Sequence, residues 1–228
     1  MIPLRPVSVC LERLVRTAGG APLLTHYGPA GERTELSVAS FANWVAKTRN
    51  LADELGVDAD AAVDLPVLAD RPAHWMGLVW PFALWQAGAS VHLGAPAADV
   101  AVVGPDAPAP VAPTTIACSL HPWGRALADL PAGVLDFSSE ALAQSDAAAS
   151  TPGAADDPAW ADAERTLTVA DVAALEPIAD RVLARPATAW DATALLARAI
   201  LGGGSVVFTE SDADPARTAT SEKARVLA

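Results

Sequence analysis

The sequence HWMGLVWPFALWQAGASVHLG, at residues 74–94, decides the fold class of this protein. Its apolar run from Trp75 to Trp85 is shorter than the roughly 18 apolar residues that a membrane span needs, and it contains a glycine and a proline. The run instead predicts a buried helix with apolar residues on nearly every face, ended by Gly88. The segment ASVHL that follows this glycine predicts a short strand inside a sheet.

Local signals set the expected start and burial of this helix. Asp70 can cap its N-terminus, and Pro72 suits its first turn. The helical spacing of the three tryptophans favours core packing, and a ligand-stacking aromatic surface is the minority alternative. We expect Trp80 and Trp85 to be buried and Trp75, near the helix start, to be the most exposed of the three.

Length and composition favour a folded protein with an acidic surface. The 228 residues are 52% hydrophobic and 18% charged, which supports a sizeable core and argues against disorder. The net charge of −12 argues against nucleic acid and a membrane surface as partners. Because the N-terminal residues lack the apolar region of a signal peptide, we expect a cytoplasmic protein; its oligomeric state is left open.

Apolar patterns elsewhere alternate between strand and helix periodicity. Residues 22–28 and 32–37 predict an N-terminal β-hairpin around a Gly/Pro turn. Further strands are expected at 61–68, 99–105, 114–120, 181–184 and 205–210, where Pro66 weakens the first and can end it. Further helices are expected at 11–15, 38–55 with Ser37 as N-cap, 166–177 with Thr166 or Thr168 as cap, and 187–204. This order predicts one α/β domain over residues 1–228, with a mostly parallel sheet and helices on both faces.

One segment departs from this regular pattern. Residues 138–162 are rich in Ala, Ser and Asp and have no apolar period, which predicts a mobile surface loop. Trp160 lies in this segment, so its replacement should hardly affect stability. The acidic residues Asp156, Asp157 and Asp162 are interpreted as part of a solvated loop.

Two segments resemble the N-terminal part of the adenylate-forming superfamily, which includes the acyl-CoA synthetases. Residues 34–93 have the family's long helix ending in LG, its strand, and its helix ending in AGA. Residues 181–210 resemble the helix–strand pair that follows the family's phosphate loop. The resemblance implies the fold of the N-terminal subdomain of those enzymes, and it is greatest to short actinobacterial proteins related to them.

The departures from the family pattern concern its chemistry. The phosphate loop, a Ser/Thr/Gly-rich run closing in Gly-x-Pro-Lys, should fall between the two segments, and nothing at 133–185 fits it. The acidic motif that holds Mg²⁺ and the C-terminal lid lysine are also absent from the 228 residues. The sequence therefore predicts a non-catalytic, degenerate relative that binds a small acyl or nucleotide-like ligand or a partner protein. The alternative is an acyl-adenylate or acyl-CoA ligase component that a second chain completes.

No catalytic residue, cofactor or metal ligand is predicted from the remaining polar residues. The four histidines, His26, His74, His92 and His121, lack the spacing of a metal site. His92 lies near a strand end, where ligand crevices form, but a hydrogen-bonded core histidine is the favoured interpretation. The run LGGGS at 201–205 follows a helix, so it predicts a helix C-cap rather than a phosphate site. The cysteines Cys10 and Cys118 are expected to be reduced and semi-buried.

Overall fold

The computed structural model describes residues 6–106, 111–210 and 214–227. Its first half contains α1 (Val7–Ala18), β1 (Pro22–Tyr27), β2 (Arg33–Ser37), α2 (Val38–Glu54), β3 (Val63–Asp64), α3 (Pro66–Asp70), α4 (Trp75–Ala87), β4 (Val91–His92), β5 (Val100–Val103) and β6 (Thr114–Ala117). Its second half contains β7 (Val134–Asp136), α5 (Phe137–Ala143), β8 (Pro158–Ala161), β9 (Thr166–Thr168), α6 (Val169–Ala173), β10 (Arg181–Ala184), α7 (Ala189–Gly202), β11 (Ser205–Thr209), α8 (Pro215–Glu222) and β12 (Arg225–Val226).

The strands form two sheets rather than the one that the sequence suggests. The five-stranded sheet has the order β12-β10-β11-β1-β2, and the seven-stranded sheet has the order β7-β6-β5-β3-β4-β8-β9. The pairs β1–β2 and β8–β9 are antiparallel, and the other pairings are parallel. The mostly parallel α/β fold and the N-terminal hairpin are therefore confirmed. Elements α3, β7, β9, α8 and β12 were not predicted. The helix expected at 166–177 is wrong at its start, because residues 166–168 pair with β8 as strand β9.

Helix α4, which the sequence at 74–94 predicts, is buried on all sides. Every residue from Trp75 to Gln86 is buried, and the apolar core around it includes residues of both sheets. The side chain of His74, rather than that of Asp70, caps the helix, because α3 occupies the residues up to Asp70. No described helix is both long enough and apolar enough to cross a membrane.

The three tryptophans of α4 are all buried, but their order of exposure differs from the expectation. Trp75 is 1% exposed, Trp80 is 0% exposed, and Trp85 is 8% exposed. The prediction that Trp75 is the most exposed is wrong, because the residues around Gly124 cover its ring and the Pro122 carbonyl accepts its indole N–H at 3.1 Å. Burial of the other two tryptophans is confirmed.

The expected loop at 138–162 contains two regular elements. Helix α5 takes up its start, with Asp136 as N-cap, and strand β8 takes up its end. Trp160 lies in β8 and is fully buried, so the prediction that it is a tolerant loop residue is wrong. Strand β8 pairs in parallel with β4, placing Trp160 opposite Val91, and a local sequence pattern does not reveal a pairing over so many residues.

The helix ends of the fold agree well with the sequence signals. Gly88 and Gly203 end α4 and α7 in the left-handed conformation, with φ of 77° and 78°. Ser37 caps α2 and Thr168 caps α6, as expected. The segments α4–β4 and α7–β11 share the order helix, glycine, strand. Strand β4 belongs to the seven-stranded sheet and β11 to the five-stranded sheet, so each sheet contains one of these segments.

Candidate functional site

Ligand crevices of α/β sheets form at the carboxyl ends of parallel strands. Strands β3, β4 and β8 of the seven-stranded sheet end at Asp64, His92 and Ala161, and β11 of the five-stranded sheet ends at Thr209. We define the carboxyl-edge site as three groups at these ends. They are the β8–β9 turn at residues 162–165, the loop at 119–126 that follows β6, and an ion-pair group formed by His26, Arg71, His74 and Glu210.

The β8–β9 turn is built around the carboxylate of Asp162. Its Oδ1 accepts hydrogen bonds from the amides of Glu164 (2.8 Å) and Arg165 (2.9 Å), and its Oδ2 accepts one from the indole of Trp160 (2.8 Å). The guanidinium of Arg165 lies 3.4 Å from the same Oδ2. Partial burial opposes ionisation, but these hydrogen bonds and the charge of Arg165 lower the pKa of Asp162. The turn therefore holds an internal anion on its backbone amides.

This turn lies in the interval where the family resemblance places a phosphate loop. Successive backbone amides with a nearby cation are the groups that hold phosphates in such loops. Here the Asp162 carboxylate occupies them, and its side chain is only 15% exposed. The interpretation of Asp162 as a solvated loop residue is therefore wrong. An Asp that bonds to backbone amides two and three residues on is typical of turns, and this signal was present in the sequence.

The β8–β9 turn also contacts the five-stranded half of the molecule through Trp190, near the start of α7. The ring of Trp190 lies 5.1 Å from that of Trp160, and the guanidinium of Arg165 lies 6.0 Å from the Trp190 ring centre. Helix α7 begins with a capping box in which Thr188 and Asp191 exchange side-chain and backbone hydrogen bonds. The amide of Asp191, in the first turn of α7, is thus satisfied within the chain.

The ion-pair group joins the two sheets beside the end of β11. Arg71 binds both carboxylate oxygens of Glu210, with Nε 3.0 Å from Oε1 and Nη2 on Oε2. His26 Nε2 lies 3.2 Å from the same Oε2. Burial raises the pKa of Glu210, but the bonds from His26 and Arg71 outweigh it and lower the pKa to about 2. Glu210 is therefore ionised and fully engaged at neutral pH.

His74 completes this group as a neutral ring. Its Nδ1 accepts the amide of Met76 at 3.2 Å, and its other nitrogen donates to the carbonyl of Leu120. Burial, together with the neighbouring ring of His26 at 5.0 Å, lowers the pKa of His74 to about 3. Because both ring nitrogens are engaged and the ring is 2% exposed, this arrangement stabilises the fold and offers no accessible base.

The loop at 119–126 presents an exposed aromatic side chain. Trp123 is 73% exposed, and the guanidinium of Arg125 lies 5.4 Å from its ring centre. The loop is held by Pro122, whose carbonyl accepts bonds from Trp75 and from the hydroxyl of Thr34 (3.3 Å). Periodicity did not indicate this surface, because an exposed loop tryptophan has no apolar pattern around it.

The remaining sequence candidates are dispersed. His92 Nε2 lies 2.6 Å from the hydroxyl of Ser90, so His92 is hydrogen-bonded as expected, but it is half-buried rather than in the core. His121 accepts the amide of Trp123 at 3.1 Å. Among the described residues, no group of three His, Cys, Asp or Glu side chains could hold a metal ion. Cys10 and Cys118 are free and buried.

Comparison with known proteins supports the fold. No family model matches the chain. A TIGR03089 family protein from Mycobacterium tuberculosis is 37% identical over 138 residues, which is 56% of this chain and 55% of that protein. The match thus spans about half the length of this relative.

Two solved structures have the same fold over nearly the whole chain. An acyl-CoA synthetase from Brucella canis matches with a TM-score of 0.70 at 16% identity, covering 96% of this chain and 45% of that one. An acetoacetyl-CoA synthetase from Streptomyces lividans matches with a TM-score of 0.71 at 17% identity, covering 90% and 38%. The resemblance to the adenylate-forming superfamily is therefore confirmed at the level of fold.

Proposed function

We propose that this chain, which has the fold of the acyl-CoA synthetases, is a non-catalytic relative that binds a small acyl or nucleotide-like ligand or a partner protein at the carboxyl-edge site. The observation that carries the proposal is the Asp162 carboxylate on the amides of the β8–β9 turn. Acyl adenylation requires the phosphates of ATP to be held and their charge neutralised as the acyl carboxylate attacks. A turn whose amides already bind a carboxylate can neither hold the phosphates nor neutralise their charge.

Charge makes this argument stronger than geometry alone. The pKa of Asp162 is lowered, so the carboxylate stays ionised at neutral pH and repels a phosphate oxygen that approaches the same amides. Arg165, the cation of the turn, is already engaged by Asp162 and Glu164. The turn therefore lacks both a free amide pair and a free counter-charge.

The part of the site that is open to a partner is the loop at 119–126. Trp123 is exposed, and Arg125 makes no ion pair with the described residues. Exposed tryptophan and arginine side chains on a fixed loop are the kinds of residue that contribute most to binding interfaces. A binding function at this edge requires no change in the turn.

ATP–pyrophosphate exchange tests the catalytic part of the proposal. We expect the protein to show no exchange above background with a panel of short, medium and aromatic carboxylic acids. Exchange that Arg165→Ala abolishes would contradict the proposal, because a phosphate held in this turn would need that cation.

Pyrophosphate binding tests the closed turn directly. Asp162→Ser removes the internal charge and exposes the amides of Glu164 and Arg165. In isothermal titration, we expect this variant to bind pyrophosphate more tightly than the wild type. Asp157→Ser, which replaces a loop carboxylate that accepts the amide of Ala154 instead, is the matched control. Equal affinity in the wild type and Asp162→Ser would show that the turn is not closed by its own carboxylate.

A further inference from the structure

The last two elements of the fold cover one face of the five-stranded sheet. Helix α8 packs on a small apolar cluster that is separate from the main core and contains Leu183, Val207 and Ala219, with Tyr27 and Ala224 beside them. Strand β12 pairs in parallel with β10 and forms the edge of this sheet. We call residues 214–227 the C-terminal strap.

The C-terminal strap buries little apolar surface. Of the described residues 214–227, only Ala219 is buried, and both residues of β12 are exposed. The backbone contacts of the strap with the sheet include the two-residue pairing of β12 and a bond from the amide of Leu227 to the carbonyl of Leu183 at 2.8 Å. Segments with so few buried apolar contacts belong to the least stable parts of a fold.

The carboxylate of Glu222, at the end of α8, attaches the strap by charge. Its Oε1 accepts the hydroxyl of Tyr27 and, at 2.8 Å, the Nε of Arg33, and its Oε2 accepts the Nη2 of Arg181 at 2.6 Å. The bonds from Arg33, Tyr27 and Arg181 outweigh burial and lower the pKa of Glu222 to about 2, so the carboxylate is ionised at neutral pH. Its side chain is only 8% exposed, so dissolved salt screens these bonds little.

These partners of Glu222 belong to the sheet and not to the strap. Tyr27 lies in β1, Arg33 in β2 and Arg181 in β10. Arg181 is also held without the strap, because its Nη2 donates to the hydroxyl of Thr25 at 2.8 Å. One carboxylate therefore joins the strap to three strands, and loss of this single charge weakens several bonds at once.

We propose that the C-terminal strap opens as a unit while the rest of the chain stays folded, and that Glu222 is the latch that keeps it closed. Opening moves residues 214–227 off the sheet and uncovers Leu183 and Val207. It also leaves β10 as the edge strand, with backbone groups free to pair with another strand. The closed strap thus hides an apolar face and a sheet edge that the open strap presents.

Thiol labelling at two neighbouring positions tests the proposal, because Val206 and Val207 lie on opposite faces of β11. Val207 belongs to the cluster beneath α8, and Val206 belongs to the main core. A water-soluble maleimide should label Val207→Cys whenever the strap opens, but Val206→Cys only when the whole fold opens. Without denaturant, we expect labelling of Val207→Cys to be at least about tenfold faster. The native cysteines, Cys10 and Cys118, are buried and report global unfolding in each variant.

Substitution of Glu222 tests the latch. Glu222→Gln keeps the size of the side chain and removes its charge, so it should raise the labelling rate of Val207→Cys about tenfold and affect Val206→Cys far less. Glu35→Gln is the matched control, because the Glu35 carboxylate accepts bonds from the same two arginines but belongs to β2. It should leave the rate at Val207→Cys within about twofold.

Amide hydrogen exchange gives a second measurement that needs no cysteine substitution. Exchange of the Leu227 amide should be about tenfold faster in Glu222→Gln than in the wild type. Equal labelling rates at Val206→Cys and Val207→Cys would overturn the proposal, because the strap would then open only with the whole fold. Unchanged labelling and unchanged Leu227 exchange in Glu222→Gln would refute the latch. Exchange and pyrophosphate experiments on the β8–β9 turn do not involve the strap, so failure of the proposed function and failure of this inference are separately visible.

Discussion

Burial of His74 makes the stability of the folded protein depend on pH. The ring is 2% exposed, and its pKa falls from the ordinary 6.5 to about 3. As pH drops, the unfolded chain takes up a proton on this ring while the folded chain does not. Acid therefore favours the unfolded state, and this contribution to stability is lost as pH falls below about 6.5.

The size of the effect follows from the two pKa values. Between pH 7.5 and pH 5, a shift from 6.5 to about 3 removes roughly 2 kcal/mol from the free energy of unfolding. Glu210, with a pKa lowered to about 2, loses its contribution only at lower pH, since a depressed carboxylate destabilises the fold as pH falls from about 4.5 towards 2. The windows of His74 and Glu210 are therefore separate, and comparing His74 variants with the wild type isolates the contribution of His74.

Urea denaturation of two variants at pH 7.5 and pH 5 measures the effect. His74→Asn keeps a side-chain acceptor for the amide of Met76, and His74→Ala removes it. Both variants should lose about 2 kcal/mol less than the wild type between the two pH values. At pH 7.5, His74→Ala should also be about 1 kcal/mol less stable than His74→Asn because it lacks the cap. If all three proteins lose stability equally on acidification, the neutral buried ring is refuted.

Two further predictions concern packing and capping. Trp160→Ala removes a fully buried ring from β8 and should cost about 3–5 kcal/mol of unfolding free energy, whereas Trp123→Ala, at an exposed ring, should change it by less than about 0.5 kcal/mol. Equal effects in denaturant titrations would contradict the assigned burial. Thr188→Ala breaks the capping box with Asp191 and should cost about 1 kcal/mol, while Thr188→Ser should be nearly neutral; a loss as large in Thr188→Ser would point to the lost methyl group instead.

Local chemistry was sufficient to predict most individual elements. The N-terminal hairpin, α2 with its Ser37 cap, and α7 with its glycine stop all depend on residues within a few positions of each other. The strand expected at 61–68 is only two residues long, because Pro66 instead begins α3. Helix α1 is longer than expected, since its exposed positions weakened the apolar signal used to bound it.

Features that depend on distant pairing were not predictable in the same way. Strand β8 is four residues long and gains its place from pairing with β4 and β9, so a short apolar run in an Ala/Asp-rich segment resembled a loop. The ion-pair group joins His26, Arg71 and Glu210, which are far apart in the sequence. No spacing rule connects such residues, although His26 and Glu210 stand at the ends of strands that were predicted.

The carboxylate on the β8–β9 turn has a consequence for how the protein responds to anions in solution. Asp162 precedes Glu164 by two residues and Arg165 by three. The effective concentration of its carboxylate at their amides therefore far exceeds that of any free ion. A dissolved phosphate must compete with the Asp162 carboxylate, which is part of the same chain and cannot diffuse away. Millimolar phosphate, sulfate or nucleotide should therefore leave the geometry of this turn unchanged. The turn should have the same conformation in dilute buffer as in a cell extract rich in anions.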